Sequence, residues 1–357
     1  MAIQLGIAGY GWRGKGLAQV CTLFPEITLA AICDAQEATR EQAAQDFPGV
    51  KLFSDFTAML DSGLVTAVMI ETPPHDHVQQ AIAALERGIH VLCDVPAIHE
   101  IVEAQPLWDA AQRSQAKYFF GATTNYWADI DACADMIDRG MLGEAYYCEA
   151  EYVADLASLG LLPSGSWRKN YPPIRYCTHS LGPILKWIKG ELRAVSCFDT
   201  GSHITGDPED HDAMVALFRT DANAVVKLFI SFITAQPVPY HRYLCRGTKG
   251  YFEHTQPLEG GEQQVLCSSK AVYGFDGICR LPVTHARPEL ADLAKVGEHG
   301  TADYAMMSNL VGVLIRGEPV AVTLRDALKM TLPGLYALES AQAGGALVSI
   351  AYPWDAS

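Results

Sequence analysis

Residues 3–14 read IQLGIAGYGWRG and decide the fold of the first part of this chain. Residues 3–8 are typical of a short buried strand, three glycines follow with the spacing G-x-G-x-x-G, and residues 15–24 continue as a helix. Glycines at this spacing allow a tight turn and let backbone N–H groups approach a pyrophosphate at the helix N-terminus. The stretch therefore predicts a dinucleotide site. The turn residues assigned to it are Gly9, Gly11, Trp12, Arg13 and Gly14.

An acidic residue follows at the spacing that a dinucleotide site requires. The second strand-like segment, residues 27–34 (ITLAAICD), ends at Asp34, which lies twenty residues after Gly14. A carboxylate at this position accepts hydrogen bonds from the adenosine ribose and repels a 2′-phosphate. The sequence therefore predicts NAD rather than NADP.

Strand-like and helical segments then alternate as far as about residue 124. This alternation predicts a parallel, doubly wound sheet, in which ligands bind at the carboxyl ends of the strands. We interpret His75 and His77 as capping or solvent-facing side chains rather than metal ligands, and expect no metal. The residues expected to line the cofactor along this edge are Thr72, Pro73, His77, Asp94, Val95, Pro96 and Asn125.

The second half of the chain has a different texture. Longer strand-like runs follow one another without helices between them, for example 145–153, 212–220 and 224–233. This pattern predicts an α+β domain with a large, mostly antiparallel open sheet. We expect a Rossmann domain over 1–124 and a domain for substrate binding and oligomerisation over 125–357. The C-terminal helix, about 323–343, is expected to pack back on the first domain.

Composition excludes several classes of partner. The formal net charge is −15 and there is no run of basic residues, which argues against nucleic acid and anionic membranes. Apolar runs such as 64–70 are too short to span a bilayer, and the first residues lack the pattern of a signal peptide. The ten cysteines form no C-x-x-C pair, which favours buried thiols over zinc ligands. We expect a soluble, cytoplasmic protein.

Several short motifs together resemble the Gfo/Idh/MocA group of NAD(P)-dependent oxidoreductases along nearly the whole chain. They are AGYGWRG (8–14), ICD (32–34), ETPPHDH (71–77), HVLCDVPA (90–97), NYW (125–127), MLGE (141–144) and GTKG (247–250). The resemblance implies a Rossmann domain and an open sheet whose face covers the nicotinamide. It also implies a small-molecule carbohydrate substrate and a homodimer or homotetramer.

Two positions depart from ordinary dehydrogenases of that group. Val95 stands where they carry a lysine that helps to move the hydroxyl proton, and Arg175 stands where they carry an aspartate. His179 is retained, and neutral imidazole has a suitable pKa for a base near pH 7. Asp94-Val95-Pro96 together with residues 176–183 (YCTHSLGP) resembles the NAD-dependent glycoside hydrolases typified by bacterial α-N-acetylgalactosaminidases.

That second resemblance implies a redox-neutral glycosidase. The sugar is oxidised at C3, the C1 substituent is eliminated, water adds, and a tightly bound, recycled NAD returns the hydride. The residues implied to be catalytic are His179, Tyr176, Tyr152 and Tyr240, and those implied to bind substrate are Trp167, Arg168, Arg175, Arg242 and His299. A tyrosine acts as a base only if a neighbouring cation or histidine lowers its pKa, and Arg175 and Arg242 are the candidate cations. An NAD-dependent sugar or cyclitol dehydrogenase and a non-catalytic NAD-binding sensor are the alternatives.

Overall fold

A computed structural model describes most of the chain. The described residues are 2–156, 160, 167–234, 240–255, 264–273, 277–283, 290 and 297–356. The chain divides into two compact units: Met1–Tyr126 with Ala286–Leu328, and Trp127–His285 with Lys329–Ser357.

The first unit is built on a parallel sheet. Its strands are β1 (Ile3–Ala8), β2 (Ile27–Cys33), β3 (Lys51–Phe53), β4 (Ala67–Ile70), β5 (His90–Cys93) and β6 (Tyr118–Phe120). Its helices are α1 (Trp12–Cys21), α2 (Glu37–Asp46), α3 (Phe56–Asp61), α4 (Pro74–Glu86), α5 (Ala104–Arg113) and, from the later segment, α8 (Thr301–Arg316). The strand order β3-β2-β1-β4-β5-β6 is that of a doubly wound fold. The predicted Rossmann domain is confirmed.

Local sequence explains where these elements lie. β1, β4 and β5 are nearly continuous apolar runs because both faces of a parallel sheet are covered by helices. α3 begins at Asp55, whose carboxylate accepts the backbone N–H of Ala58. α4 begins with Pro74 at a position where no backbone N–H is needed. Each strand end in the sheet is therefore followed closely by a helix start.

The second unit is built on a larger sheet. Its strands are β7 (Ala145–Val153), β8 (Leu192–Asp199), β9 (Met214–Thr220), β10 (Val225–Ser231), β11 (Tyr240–Gly247), β12 (Gly250–Thr255), β13 (Gln264–Ser269), β14 (Cys279–Pro282) and β15 (Val348–Ser349). Its helices are α6 (Ala128–Asp138), α7 (Thr178–Leu185) and most of α9 (Leu324–Gln342). The order is β14-β13-β12-β11-β7-β10-β9-β8-β15, and β7 and β10 form a parallel pair among antiparallel ones. This confirms the predicted, mostly antiparallel sheet.

The division between the units differs from the expected one. The first unit ends at Tyr126 rather than 124 and regains residues Ala286–Leu328, including α8. α8 packs there because Tyr304 stacks on Phe24, with ring centroids 4.6 Å apart. Only the first residues of α9, up to Leu328, group with the first unit.

Cysteine burial agrees with the expected free thiols. Nine of the ten are buried, Cys279 is half-buried, and all ten are free. In the described part of the chain, no group of three His, Cys, Asp or Glu side chains is placed to hold a metal ion. No helix among the described residues is both long and apolar enough to cross a membrane.

Candidate active site

Residues 9–14 of the first unit, which we call the glycine turn, form a cradle of backbone groups. Gly9 has a φ of +87°, and a Cβ there would lie 2.7 Å from the Glu71 carbonyl oxygen. A Cβ on Gly14 would lie 2.0 Å from the Gly9 carbonyl oxygen. Gly11 is the N-cap of α1 and makes no side-chain cap, so the first N–H groups of α1 receive no capping acceptor from it. Both features fit a pyrophosphate held by backbone N–H groups at a helix N-terminus.

Asp34 is fixed at the end of β2, next to this turn. Its Oδ2 accepts the backbone N–H of Tyr10 at 2.8 Å, and its Oδ1 accepts that of Gln36 at 2.9 Å. Arg40 donates to the carbonyl oxygens of Asp34 and Ala35, not to the carboxylate. The carboxylate therefore lies beside the cradle without pairing with Arg40, in a position that suits the ribose of NAD.

His77 ties together the loops that follow β4 and β5. Its side chain is 1 % exposed, with Nδ1 2.8 Å from the Pro96 carbonyl oxygen and Nε2 2.7 Å from that of Thr72. The Thr72 hydroxyl in turn donates to the Gln80 side chain. His77 is therefore not solvent-facing, as the sequence was interpreted, but buried and placed to position the loops.

Arg13, also predicted to bind cofactor, is enclosed by acidic groups. Its guanidinium lies 2.8 Å from Asp303 Oδ1 and 3.5 Å from Asp94 Oδ2. Burial alone would lower the pKa of Arg13, but the carboxylates of Asp94, Asp303 and Glu71 raise it above its ordinary value. Arg13 therefore stays charged and holds the β5 end against the start of α8.

Glu71 and His299 complete this network. Burial, followed by the nearby Asp94 carboxylate, raises the pKa of Glu71 well above its usual range, although Arg13 opposes the shift. His299 Nδ1 lies 3.0 Å from Arg13 Nη1, and the His299 ring packs edge-on against Trp12. His299 was expected to bind substrate, and the structure places it against Arg13 and Asp303 in the first unit.

The remaining residues of this edge are buried supports. Val95 and Pro96 follow β5 in buried positions, and Asn125 donates from Nδ2 to the Ala122 carbonyl oxygen at 3.2 Å. Val95 offers no group that can carry a proton.

In the second unit, aromatic and imidazole rings converge over one face of the sheet. We call His179, Tyr152, Tyr176 and His241 the aromatic cluster. His179 lies in the first turn of α7, with its ring centroid 6.0 Å from that of Tyr152 and 5.3 Å from that of Tyr176. Phe232 contacts both tyrosine rings. Three of the four residues predicted to be catalytic are thus brought together.

The environment of Tyr152 determines what its phenol can do. Burial raises the pKa of Tyr152, and the positive charge of Arg168 opposes that shift without reversing it. The cation beside this phenol is therefore Arg168, rather than Arg175 or Arg242. Tyr152 therefore keeps its proton near pH 7 and can donate a hydrogen bond.

His241 was missed by sequence reasoning. It lies directly opposite Tyr152 in the β11–β7 pair, and the two rings stack at 4.0 Å with an interplanar angle of 25°. The available signal was the string Tyr240-His241-Arg242-Tyr243, which alternates along a strand and thus sends His241 to the face of Tyr243. Because the register of β11 against β7 is not evident from sequence, His241 could not be paired with Tyr152 in advance.

Arg242 lies on the opposite face of the sheet, so its predicted role as a substrate ligand is corrected. Successive side chains of a strand alternate between faces, and His241 occupies the face of the aromatic cluster. Arg242 lies 3.1 Å from Glu149, 3.1 Å from Glu151 and 2.6 Å from Glu253. The structure does not bring it together with His179.

The other predicted substrate residues lie beside the aromatic cluster. The Arg168 guanidinium stacks over the Trp167 ring at 4.4 Å, and that of Arg175 stacks over Tyr171 at 5.1 Å. The Trp167 ring also lies 6.4 Å from that of Tyr176. Tyr240 begins β11, but its side chain lies outside the described part of the chain.

A cavity of about 420 Å³ opens next to these stacks. Its lining mixes charged groups with apolar ones, and Phe232 belongs both to this lining and to the contacts of the aromatic cluster. The residues that line it include Asp155, Leu156, Arg168, Asn170, Tyr171, Pro173, Ile204, Asp210, His211 and Phe232. A mixed apolar and hydrogen-bonding lining of this size suits a small polar ligand.

Cys177 precedes α7 but does not join this chemistry. Burial raises the pKa of its thiol to about 12, and its Sγ donates to the Met330 carbonyl oxygen at 3.3 Å. A Cβ on Gly334 would lie 2.6 Å from this sulfur, so α9 packs closely against it. Cys177 is a packing residue, not a nucleophile.

These observations define an NAD-binding Rossmann unit joined to a unit that carries a histidine- and tyrosine-lined site. Residues 3–122 match the Gfo/Idh/MocA oxidoreductase family, described as having an NAD-binding Rossmann fold. The chain carries the NAD-binding domain of this family, and NAD is its cofactor.

Relatives extend the similarity over most of the chain. A "Glycosyl hydrolase family 109 protein" of Solibacter usitatus is 26% identical over 93% of this chain and 84% of its own length. An "Alpha-N-acetylgalactosaminidase" of Shewanella oneidensis is 24% identical over 95% of this chain and 82% of its own length. Both match the resemblance that residues 94–96 and 176–183 carry.

Solved structures show the same fold. Levoglucosan dehydrogenase in complex with NADH has a TM-score of 0.84 at 19% identity, covering 99% of this chain and 100% of its own. The scyllo-inositol dehydrogenase of Lactobacillus casei has a TM-score of 0.77 at 20% identity, covering 98% of this chain and 99% of its own.

Proposed function

We propose that this protein is an NAD-dependent enzyme acting on a carbohydrate, and that it cleaves a glycosidic bond without net oxidation. The observation that carries the proposal is the aromatic cluster, which gathers His179, Tyr152 and Tyr176 while Val95 occupies the lysine position of ordinary dehydrogenases. The similarity to glycosyl hydrolase family 109 proteins supports the same conclusion.

When bound, NAD supplies the acceptor and donor of one hydride. The residues proposed to hold it are the glycine turn for the pyrophosphate, Asp34 for the ribose, and the loops after β4 and β5 for the rest of the dinucleotide. Because the hydride returns to the sugar, one cofactor serves many turnovers.

The aromatic cluster performs the proton transfers in this proposal. His179 takes the proton of the sugar hydroxyl when the carbon beneath it is oxidised, and returns it when the ketone is reduced. The Tyr152 phenol, which burial keeps protonated, donates a hydrogen bond to the oxygen that gains negative charge. Trp167 and Arg168 are proposed to hold the sugar beside these groups.

A panel of aryl glycosides incubated with purified enzyme in deuterated water, without added NAD, tests the proposal. Release of the aglycone together with deuterium at C2 of the sugar is the expected result. Reduced cofactor that accumulates in proportion to product, only when NAD is supplied, would show a dehydrogenase instead. Binding of NAD without any turnover would show a sensor.

The proposal includes self-association into a homodimer or homotetramer through the outer face of the larger sheet. Leu217 on that face is 50 % exposed, and the same face carries the ion pairs of Arg242 with three glutamates. Light scattering of the purified protein would give the molar mass, and a monomer would contradict this part.

A further inference from the structure

The proposed reaction needs two bases, and this inference rests on that proposal. One base takes the hydroxyl proton at C3, which is the role given to His179. A second base must take the proton at C2, because the C1 substituent leaves only after a carbanion forms beside the new ketone. Each transfer requires a group whose pKa lies near the working pH.

Tyr152 does not suit the second role. An unperturbed phenol has a pKa of about 10, and burial raises that of Tyr152 further. Arg242, which sequence reasoning offered as a cation to lower such a pKa, lies on the opposite face of the sheet with three glutamates. The phenol of Tyr152 is a donor, so the second base is another residue.

His241 is placed for this role. Its ring stacks on Tyr152, whose other contacts include the edge of the His179 ring, so the two imidazoles flank one phenol. Unlike His179, which is 8 % exposed, His241 is half-buried on the same face. Trp127 packs edge-on against its ring at 5.3 Å and fixes the orientation.

Tyr243 sets which nitrogen of His241 holds the proton. The Tyr243 hydroxyl donates its single hydrogen to the His179 carbonyl oxygen at 2.8 Å. The same hydroxyl oxygen lies 3.4 Å from His241 Nδ1 and has no second hydrogen, so it can only accept a hydrogen bond from that nitrogen. Nδ1 then carries the hydrogen, and Nε2 carries the lone pair that a base needs. Tyr243 is thus a positioning residue that links the two histidines.

We propose that His241 is the base that removes the proton from C2 of the oxidised sugar. The proton passes to Nε2, and the electron pair of the broken C2–H bond becomes the C1–C2 double bond. The C1–O bond breaks with its electron pair on the leaving oxygen, which takes up one proton from solvent. No oxidant or reductant is consumed in this step.

Methyl 3-keto-glucosides and methyl 3-keto-galactosides, in both anomers, isolate the step, because their C2 proton is already acidic and no hydride transfer is needed. The holoenzyme is incubated with each probe in deuterated water, and exchange at C2 is followed by proton NMR. His241→Phe keeps a ring that can stack on Tyr152 but has no nitrogen. We expect exchange to fall about 100-fold.

Two further measurements separate a missing base from a damaged fold. His241→Asn serves as a second variant. In both His241 variants, the rate at which bound cofactor is reduced on mixing with the substrate found in the glycoside panel should stay within about threefold of the wild-type rate. His203→Phe, an exposed histidine outside the aromatic cluster, is the matched control and should leave exchange unchanged.

The outcomes are distinguishable. Exchange by wild type that persists in both His241 variants would overturn the role of His241 and leave the proposed function intact. Failure of wild type to exchange any of the probes would overturn the proposed function, and the role of His241 with it.

Discussion

The glycine turn and the aromatic cluster are assembled in opposite ways. The turn lies within residues 9–14, and its shape depends on missing Cβ atoms. The cluster takes Tyr152 from β7, His179 from α7 and His241 from β11, so its geometry depends on strand register and on side chains. A contiguous backbone site can be recognised from spacing alone, whereas a site built across a sheet cannot. Substitutions should therefore act differently in the two regions.

The largest expected effect is on turnover, from His179→Asn in the aromatic cluster. Loss of the proton acceptor should lower kcat about 1000-fold, which is within the range for general acid–base residues. NAD affinity should be unchanged, because the cradle belongs to the other unit. Steady-state kinetics with the glycoside found in the panel, together with calorimetric titration of NAD, measures both. Similar losses in kcat and in NAD affinity would contradict the separate roles of the aromatic cluster and the glycine turn.

In the glycine turn, Gly14→Ala should weaken NAD binding about 100-fold, or about 3 kcal/mol. The reason is that the added Cβ would lie 2.0 Å from the Gly9 carbonyl oxygen and would displace the turn. Gln19→Ala is the control, because Gln19 is an exposed residue of α1 outside the turn. Titration of NAD into both variants gives the comparison. Equal losses would show that close packing at Gly14 is not what shapes the cradle.

A smaller effect is expected from Asp34→Ser. Removing the carboxylate should weaken NAD binding about tenfold and improve NADP binding, since the charge that repels a 2′-phosphate is gone. Competitive binding of the two dinucleotides measures the ratio. An unchanged preference for NAD would mean that Asp34 serves only to bind the backbone of Tyr10 and Gln36.

The smallest effect on activity is expected from Arg242→Leu, on the outer face of the sheet. It leaves Glu149, Glu151 and Glu253 without their shared cation. Because these groups are partly exposed, the expected loss of stability is only about 1–2 kcal/mol, seen as a fall of a few degrees in Tm. Thermal denaturation and kcat/KM are compared with wild type. A tenfold fall in kcat/KM would restore Arg242 to the substrate site.

The sequence predicted the parallel sheet, the glycine turn, the position of Asp34 and the antiparallel sheet, because strand–helix alternation and glycine spacing are local features. It also indicated His179 and Tyr176, which lie three residues apart and so come together within one short segment. It misplaced Arg242 and missed His241, because the two neighbours exchange faces with a one-residue change in register. The return of residues 286–328 to the first unit depends on contacts such as Phe24 with Tyr304, which no local pattern predicts.

The aromatic cluster is proposed, above all, to catalyse a redox-neutral cleavage. The most direct measurement is the isotope content of the sugar released from an unlabelled glycoside in deuterated water, recorded while the absorbance of the reduced cofactor is followed. A redox-neutral cleavage gives one deuterium at C2, many turnovers per bound NAD and no accumulation of reduced cofactor. A released sugar without deuterium at C2, or reduced cofactor formed in step with product, would contradict it.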